Sequence, residues 1–171
     1  MKYMIISDIH GNIENLNKVL DIYSKEHCSK LLVLGDLFNY VIDLNRQDII
    51  HRLNMMKDNI IAVSGNCDIN TRGIEFYMPS INNIDLNNKT LLLTHGHSFT
   101  KEHLLKGDAD IIFLGHTHIP EIEKINDKLF VNPGSISKSR RGENSFSIVD
   151  DNSITIRNLN NEILEEYKFT S

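Results

Sequence analysis

Five times along this 171-residue chain, a short apolar run ends in a small residue and is followed at once by a side chain able to bind a metal. Tyr3 to Ile6 leads into Ser7-Asp8-Ile9-His10-Gly11, Leu31 to Leu34 into Gly35-Asp36, and Ile60 to Val63 into Ser64-Gly65-Asn66-Cys67-Asp68. Leu91 to Thr94 precedes His95-Gly96-His97, and Ile111 to Leu114 precedes Gly115-His116-Thr117-His118. Short continuous apolar runs of this kind are strands buried on both faces. In open α/β sheets the carboxyl ends of the strands line the crevice where ligands bind, so these endings would aim their polar groups at one place. A lone Gly-Asp or Gly-Asn pair is ordinarily a turn. The repetition is what argues for a site.

Between the first strands, Ile13, Leu16, Val19, Leu20 and Tyr23, and later Ile49, Ile50, Leu53 and Met56, recur at helical spacing, so the first half is α/β with parallel strands. The second half is strand-rich. Thr90–Thr94, Ile111–Leu114, Leu129–Val131, Phe146–Val149 and Ile154–Ile156 are strand-like, and only Lys101–Lys106 has helical character. Asn126-Asp127, Arg141-Gly142 and Asp151-Asn152 are turn pairs that suit antiparallel hairpins. Too many strands for one doubly wound layer imply two packed sheets flanked by helices, within one domain over residues 1–171. The stretch from Ile69 to Ser80 reads as a surface loop, and the heavy use of Asn and Ile reads as genome bias.

Eight histidines against three prolines and no tryptophan direct attention to metal ligation. The net charge of −5 offers no global attraction to nucleic acid or an anionic membrane, so phosphate affinity has to be local. No apolar run reaches the roughly 20 residues of a membrane span, and Cys28 and Cys67 lack metal-type or disulfide-type spacing. A soluble cytoplasmic protein with reduced thiols is expected.

The donors at the strand ends are Asp8, Asp36, Asn66 and the imidazoles of His10, His95, His116 and His118. Such a mixed oxygen and nitrogen set suits Mn²⁺, Fe, Zn²⁺ or related ions and contains more donors than one tetrahedral ion uses, which points to two ions. On an extended chain residues i and i+2 project to one side, which would pair Asp8 with His10 and His116 with His118. With Asp36 shared, the two carboxylates leave about two units of positive charge to face a phosphate.

Taken together, Asp8-x-His10, Gly35-Asp36, Gly65-Asn66-x-Asp68, His95 and Gly115-His116-x-His118 resemble the calcineurin-like metallophosphoesterase superfamily. The Gly65-Asn66-Cys67-Asp68 form, His95-Gly96-His97 and Asn132-Pro133-Gly134-Ser135 are similar to its YfcE-type phosphodiesterase branch. The resemblance implies a four-layer α/β/β/α sandwich. It also implies one ion on Asp8, His10 and His118, a second on Asn66, His95 and His116, and Asp36 bridging them. The implied ions are commonly Mn²⁺, with Ni²⁺, Fe²⁺, Co²⁺ or Zn²⁺ able to substitute. The expected activity is hydrolysis of a small phosphodiester by a metal-bridging hydroxide, with Asn66 orienting the phosphoryl oxygens. Alternatives are a phosphomonoesterase or nucleotide pyrophosphatase with the same centre, or a protein-binding scaffold of this fold such as a retromer subunit. Homo-oligomer formation is implied only by the resemblance.

One position departs from the wider pattern: Cys67 stands where a leaving-group histidine commonly follows the ligand asparagine, and a neutral thiol is a poor proton donor for that task. His97 is the nearest substitute. Asp68 is expected to orient neighbours rather than to ligate, and Asn132 to Ser135 to lie beside the site. His27, His51 and His103 receive no role. Lys138, Arg140 and Arg141 form the one basic cluster, read as solvated charge with substrate contact as the alternative. Phe76, Tyr77 and Met78 are expected to cover the core or an interface.

Overall fold

Alternate residues of the first apolar run serve two different interiors. In the computed structural model, which describes residues 1–41 and 44–169, Met4 and Ile6 face helices while Tyr3 and Ile5 face a second sheet. The chain runs β1 (Tyr3–Ile6), α1 (Ile13–Lys25), β2 (Lys30–Val33), α2 (Arg46–Asn54) and, after a single 3-10 turn, β3 (Ile60–Ala62). It continues with β4 (Ile81–Leu86), β5 (Lys89–Thr94), α3 (Lys101–Leu104), β6 (Ile111–Leu114), β7 (Glu121–Ile125), β8 (Lys128–Asn132), β9 (Ser145–Val149), β10 (Ser153–Asn158) and β11 (Ile163–Lys168).

One sheet has the order β11-β10-β9-β1-β2-β3 and the other β4-β5-β6-β8-β7. Strands β1, β2 and β3 are mutually parallel, as are β5, β6 and β8, and antiparallel strands complete each sheet. Three apolar cores separate the four layers. Leu16, Val19 and Leu20 of α1 and Ile49 and Leu53 of α2 cover the first sheet. Ile5, Leu32 and Leu34 meet Leu91, Leu93, Ile111 and Phe113 between the sheets. Leu92, Ile112 and Phe130 are capped by Leu104 of α3. Each fully buried large side chain contributes about 1.5–3 kcal/mol, which is why the strands read as unbroken apolar runs. The outer layer on the second sheet is thin, because α3 is a single turn ending at Leu104 rather than Lys106.

Strands β4, β7 and β11 were not foreseen, and all three are sheet edges. Half-exposed edges carry no apolar run: β11 is Ile-Leu-Glu-Glu-Tyr-Lys and almost wholly exposed. The Ile69–Ser80 stretch has no regular element, yet Ile74, Phe76 and Met78 pack on the helix-side core while Tyr77 stays exposed. No helix among the described residues is long and apolar enough to cross a membrane.

Helix α1 is tied to the first sheet at one end through Glu26, which follows the helix. It accepts from Lys2 Nζ (3.0 Å), Arg157 Nη1 (3.1 Å) and Asn161 Nδ2 (2.8 Å). The Asn161 and Lys2 bonds outweigh partial burial and, with Arg157, bring its carboxyl from 4.5 to about 2. A depressed folded-state value stabilises the protein above the unfolded value and is lost as pH falls through the folded one. Glu26→Gln is therefore expected to cost about 1–3 kcal/mol at pH 7 after allowance for partial exposure, with the gap narrowing below about pH 5 and closing near pH 2, as read by urea melts across pH.

Candidate metal centre

The candidate ligands stand where the parallel strands end, and the ladder continues past the strands to hold their loops together. Asp8 N donates to the Gly35 carbonyl (3.1 Å), His10 N to Asp36 (3.0 Å) and Gly115 N to His95 (3.0 Å). The local backbone is not extended. Asp8 (φ 56°), His10 (44°), Asp36 (53°), His116 (68°) and His118 (59°) all adopt the left-handed region. Asp8 and His10 do come together, but through tight left-handed turns rather than strand alternation, and His118 joins them while His116 stays at the exposed rim. Such conformations cost about 1–3 kcal/mol each in non-glycine residues and persist only where the surroundings enforce them.

Asp8 Oδ1, His10 Nε2 and His118 Nε2 converge: Asp8 Oδ1 lies 3.7 Å from His10 Nε2 and 3.1 Å from His118 Nε2, and the two ring nitrogens are 3.2 Å apart. Asp36 Oδ2 stands 3.7 Å from His10 Nε2 and 3.4 Å from His95 Nε2, between this group and the next. His95 Nε2 is 3.2 Å from Asn66 Oδ1. His116 and His97 lie at the exposed rim, their ring centroids 5.3 and 5.4 Å from that of His95. Asp8, Asp36, His95 and His118 are buried. Three sets of donors in this cluster have the proximity a metal needs: Asp8-His10-His118, Asp8-Asp36-His95 and His10-Asp36-Cys67.

The donor chemistry fits divalent ions. His118 Nδ1 is 2.8 Å from the Lys138 carbonyl and His95 Nδ1 is 2.7 Å from that of Leu34. A carbonyl only accepts, so both Nδ1 atoms carry a proton, and each ring, when neutral, turns an Nε2 lone pair inward. Asp8 Oδ1 is buried, makes no hydrogen bond and faces the Nε2 atoms of His10 and His118. Buried acceptors facing one another without donors are costly, and a shared cation removes that cost. Asn66 Nδ2 donates to Tyr40 Oη (2.5 Å), which leaves its amide oxygen facing His95.

Burial pushes the carboxyls of Asp8 and Asp36 up, but the imidazoles and hydrogen bonds around them outweigh it. His10, His118 and His95 hold Asp8 low, and His95 with the Cys67 N–H holds Asp36 low. His95 shows the converse: burial opposes its protonated form, and Asp36 and Asp8 raise its pKa nonetheless. Burial, then the Asp36 carboxylate, pushes the Cys67 thiol up to about 12, so it is neutral at pH 7.

Asp68 faces backbone donors rather than the donor cluster. It accepts from Asp36 N (2.7 Å), Gly65 N (2.8 Å) and Leu37 N (2.9 Å), which fixes the Asp36 turn. Asn132 Nδ2 donates to the Gly115 carbonyl (2.9 Å) and to Thr117 Oγ1 (2.9 Å), so the Asn132–Ser135 segment braces the turn that carries His116. Sequence reading placed Ser135 beside the site but missed three contributors, Ser7, Ser137 and Tyr40. Ser7 Oγ donates to Asp8 Oδ2 (2.6 Å), Ser135 and Ser137 hydroxyls both donate to the Asp8 carbonyl (2.8 and 2.9 Å), and Tyr40 orients Asn66. Of those three, only Ser7, adjacent to Asp8, left a sequence signal. Lys138 and Arg140 line the same cavity, whereas Arg141 turns away to the Pro120 carbonyl (2.7 Å).

With this geometry in place, the chain's family is plain: it matches the calcineurin-like phosphoesterase superfamily domain over residues 1–153 and belongs to that superfamily. It is 31% identical to the phosphodiesterase YfcE of Escherichia coli over 95% of this chain and 94% of that protein. It is 26% identical to the phosphodiesterase MJ0936 of Methanocaldococcus jannaschii, over 88% of this chain and 93% of that one. The solved structure of Escherichia coli YfcE, described as a phosphoesterase, superposes with a TM-score of 0.90 at 29% identity, covering 99% of this chain and all of that one.

Close backbone approach makes Gly65 indispensable. A Cβ there would lie 2.1 Å from Asp36 Oδ1 and 2.5 Å from Asp36 N, neither of which can yield without moving the carboxylate. Gly65→Ala is expected to weaken Mn²⁺ binding about tenfold or more, measured by titration calorimetry on the folded variant.

Proposed function

We propose that the chain is a metal-dependent phosphodiesterase acting on a small phosphate ester. The observation that carries this is the convergence of Asp8, His10 and His118 on one side of Asp36 and of His95 and Asn66 on the other. In this reading Asp8, His10 and His118 hold one divalent ion, Asn66, His95 and His116 hold a second, and Asp36 serves both. A pair of divalent ions in such a donor set supplies a nucleophilic oxygen at neutral pH and polarises the phosphoryl group. Manganese is the ion best matched to the resemblance and to this thiolate-free set.

The chain's own residues do the rest. Asp68 holds the Asp36 backbone, Ser135 and Ser137 hold the Asp8 backbone carbonyl and Ser7 holds the Asp8 carboxylate, so little reorganisation accompanies the reaction. Asn66, its amide held by Tyr40, orients the phosphoryl oxygens. Cys67 stays protonated at pH 7 and is a weak acid, poorly suited to protonate a leaving group. His97 shares the rim with His116, where it meets a departing alkoxide. Burial and the neighbouring His95 lower its pKa, which makes its imidazolium the stronger acid and the less populated one at pH 7. A reducing cytoplasm suits the two free cysteines, and a net charge of −5 disfavours nucleic acid as substrate.

Mn²⁺-loaded protein should hydrolyse bis(p-nitrophenyl) phosphate faster than p-nitrophenyl phosphate, and Asp36→Asn should lower kcat/KM by about a hundredfold or more. A faster monoester refutes the diester assignment, and an inert metal-loaded protein refutes the activity. His97→Gln should slow esters of poor leaving groups about tenfold more than p-nitrophenyl esters, read from the leaving-group dependence of kcat.

A further inference from the structure

Two cavities meet at Asn39, Tyr40 and Cys67. One, of about 270 Å³, opens over the candidate centre, and the other, of about 380 Å³, leads away from it. The mouth of the first carries Lys138 and Arg140, both exposed. Their loop is locked to a candidate ligand, because the Lys138 carbonyl accepts from His118 Nδ1 and Arg140 N donates to the His118 carbonyl (3.0 Å). In a chain of net charge −5, Arg140 and Lys138, whose Nζ donates to Asn39 Oδ1 (2.8 Å), bring two positive charges to this rim.

The second cavity has a different character. Tyr40 (66% exposed), Val41 (75%) and Ile69 (81%) are among the few large apolar side chains left in water, and all three line it. Scattered exposed apolar residues need no explanation, but three lining one concavity continuous with a polar centre offer an apolar surface beside it. Its walls are braced. Arg46 stacks 3.9 Å from the Phe38 ring centroid and donates to the Asn70 carbonyl, tying one wall to the other. The Tyr40 hydroxyl is held by Asn66, so its ring is a fixed surface.

We propose that this groove receives the organic substituent of the substrate, and that the protein selects phosphate esters bearing an apolar ring. Lys138 and Arg140 grip the phosphate and Tyr40, Val41 and Ile69 cover the ring. The inference rests on the phosphodiesterase reading only for where the phosphate sits.

Titration calorimetry of the Mn²⁺-loaded protein with benzylphosphonate and with methylphosphonate isolates the ring, since the two anions share charge and head group. The wild type should bind benzylphosphonate about tenfold more tightly. Ile69→Ser, at an exposed position where folding is not at stake, and Tyr40→Ala should each cut that preference to about twofold, whereas Lys138→Ala and Arg140→Ala should weaken both anions alike. Equal affinities in the wild type, or a preference that survives Ile69→Ser, would overturn the proposal. Binding needs no turnover. A protein that prefers the benzyl anion yet cleaves no ester supports this subsite and refutes the phosphodiesterase reading, and one that cleaves esters with no ring preference does the reverse.

Discussion

Asp8 and Asp36 are buried within one cluster of imidazoles, and the whole end of the sandwich is arranged around that fact. Burying a carboxylate costs several kcal/mol unless opposite charge and hydrogen bonds compensate it, and burying two side by side more than doubles the difficulty. The imidazoles supply part of the compensation, but His95 and His118 have their Nδ1 protons committed to carbonyls and present lone pairs inward. A site built of acceptors calls for cations. The left-handed turns, the Asp68 anchor and the serine donors are the means by which the fold keeps that arrangement in place.

The two sheets explain why the convergence is available at all. Asp8, Asp36 and Asn66 follow strands of one sheet and His95, His116 and His118 follow strands of the other, so the donor set spans the core between them. Neither sheet alone holds a complete set. Stability of the inter-sheet packing and integrity of the centre are therefore coupled, since sliding one sheet by an ångström would separate His95 from Asp36.

Much of this was legible in the residues, for a physical reason: parallel central strands are buried on both faces and write themselves as apolar runs, and ligands at their ends follow immediately. Edge strands have no such signature, which is why β4, β7 and β11 went unread. One of them did leave a mark. Asn87 and Asn88 (φ 48° and 60°) form the two-residue turn joining β4 to β5, a conformation asparagine tolerates, but in an asparagine-rich chain such a pair carries little signal. The pairing of Asp8 with His10 was found by an argument from extended geometry that the positive φ values replace. The contributions of Ser137 and Tyr40 depend on tertiary contacts and have no sequence signal, whereas the basic cluster divided only in three dimensions, with Lys138 and Arg140 at the rim and Arg141 elsewhere.

The central claim is that Asp36 sits between two ion sites. Anomalous diffraction from crystals grown with Mn²⁺ tests it most directly. The account predicts two anomalous peaks about 3.5–4 Å apart, one against Asp8, His10 and His118, the other against Asn66, His95 and His116, with Asp36 reaching both. A single peak, or two peaks that do not share Asp36, would contradict it.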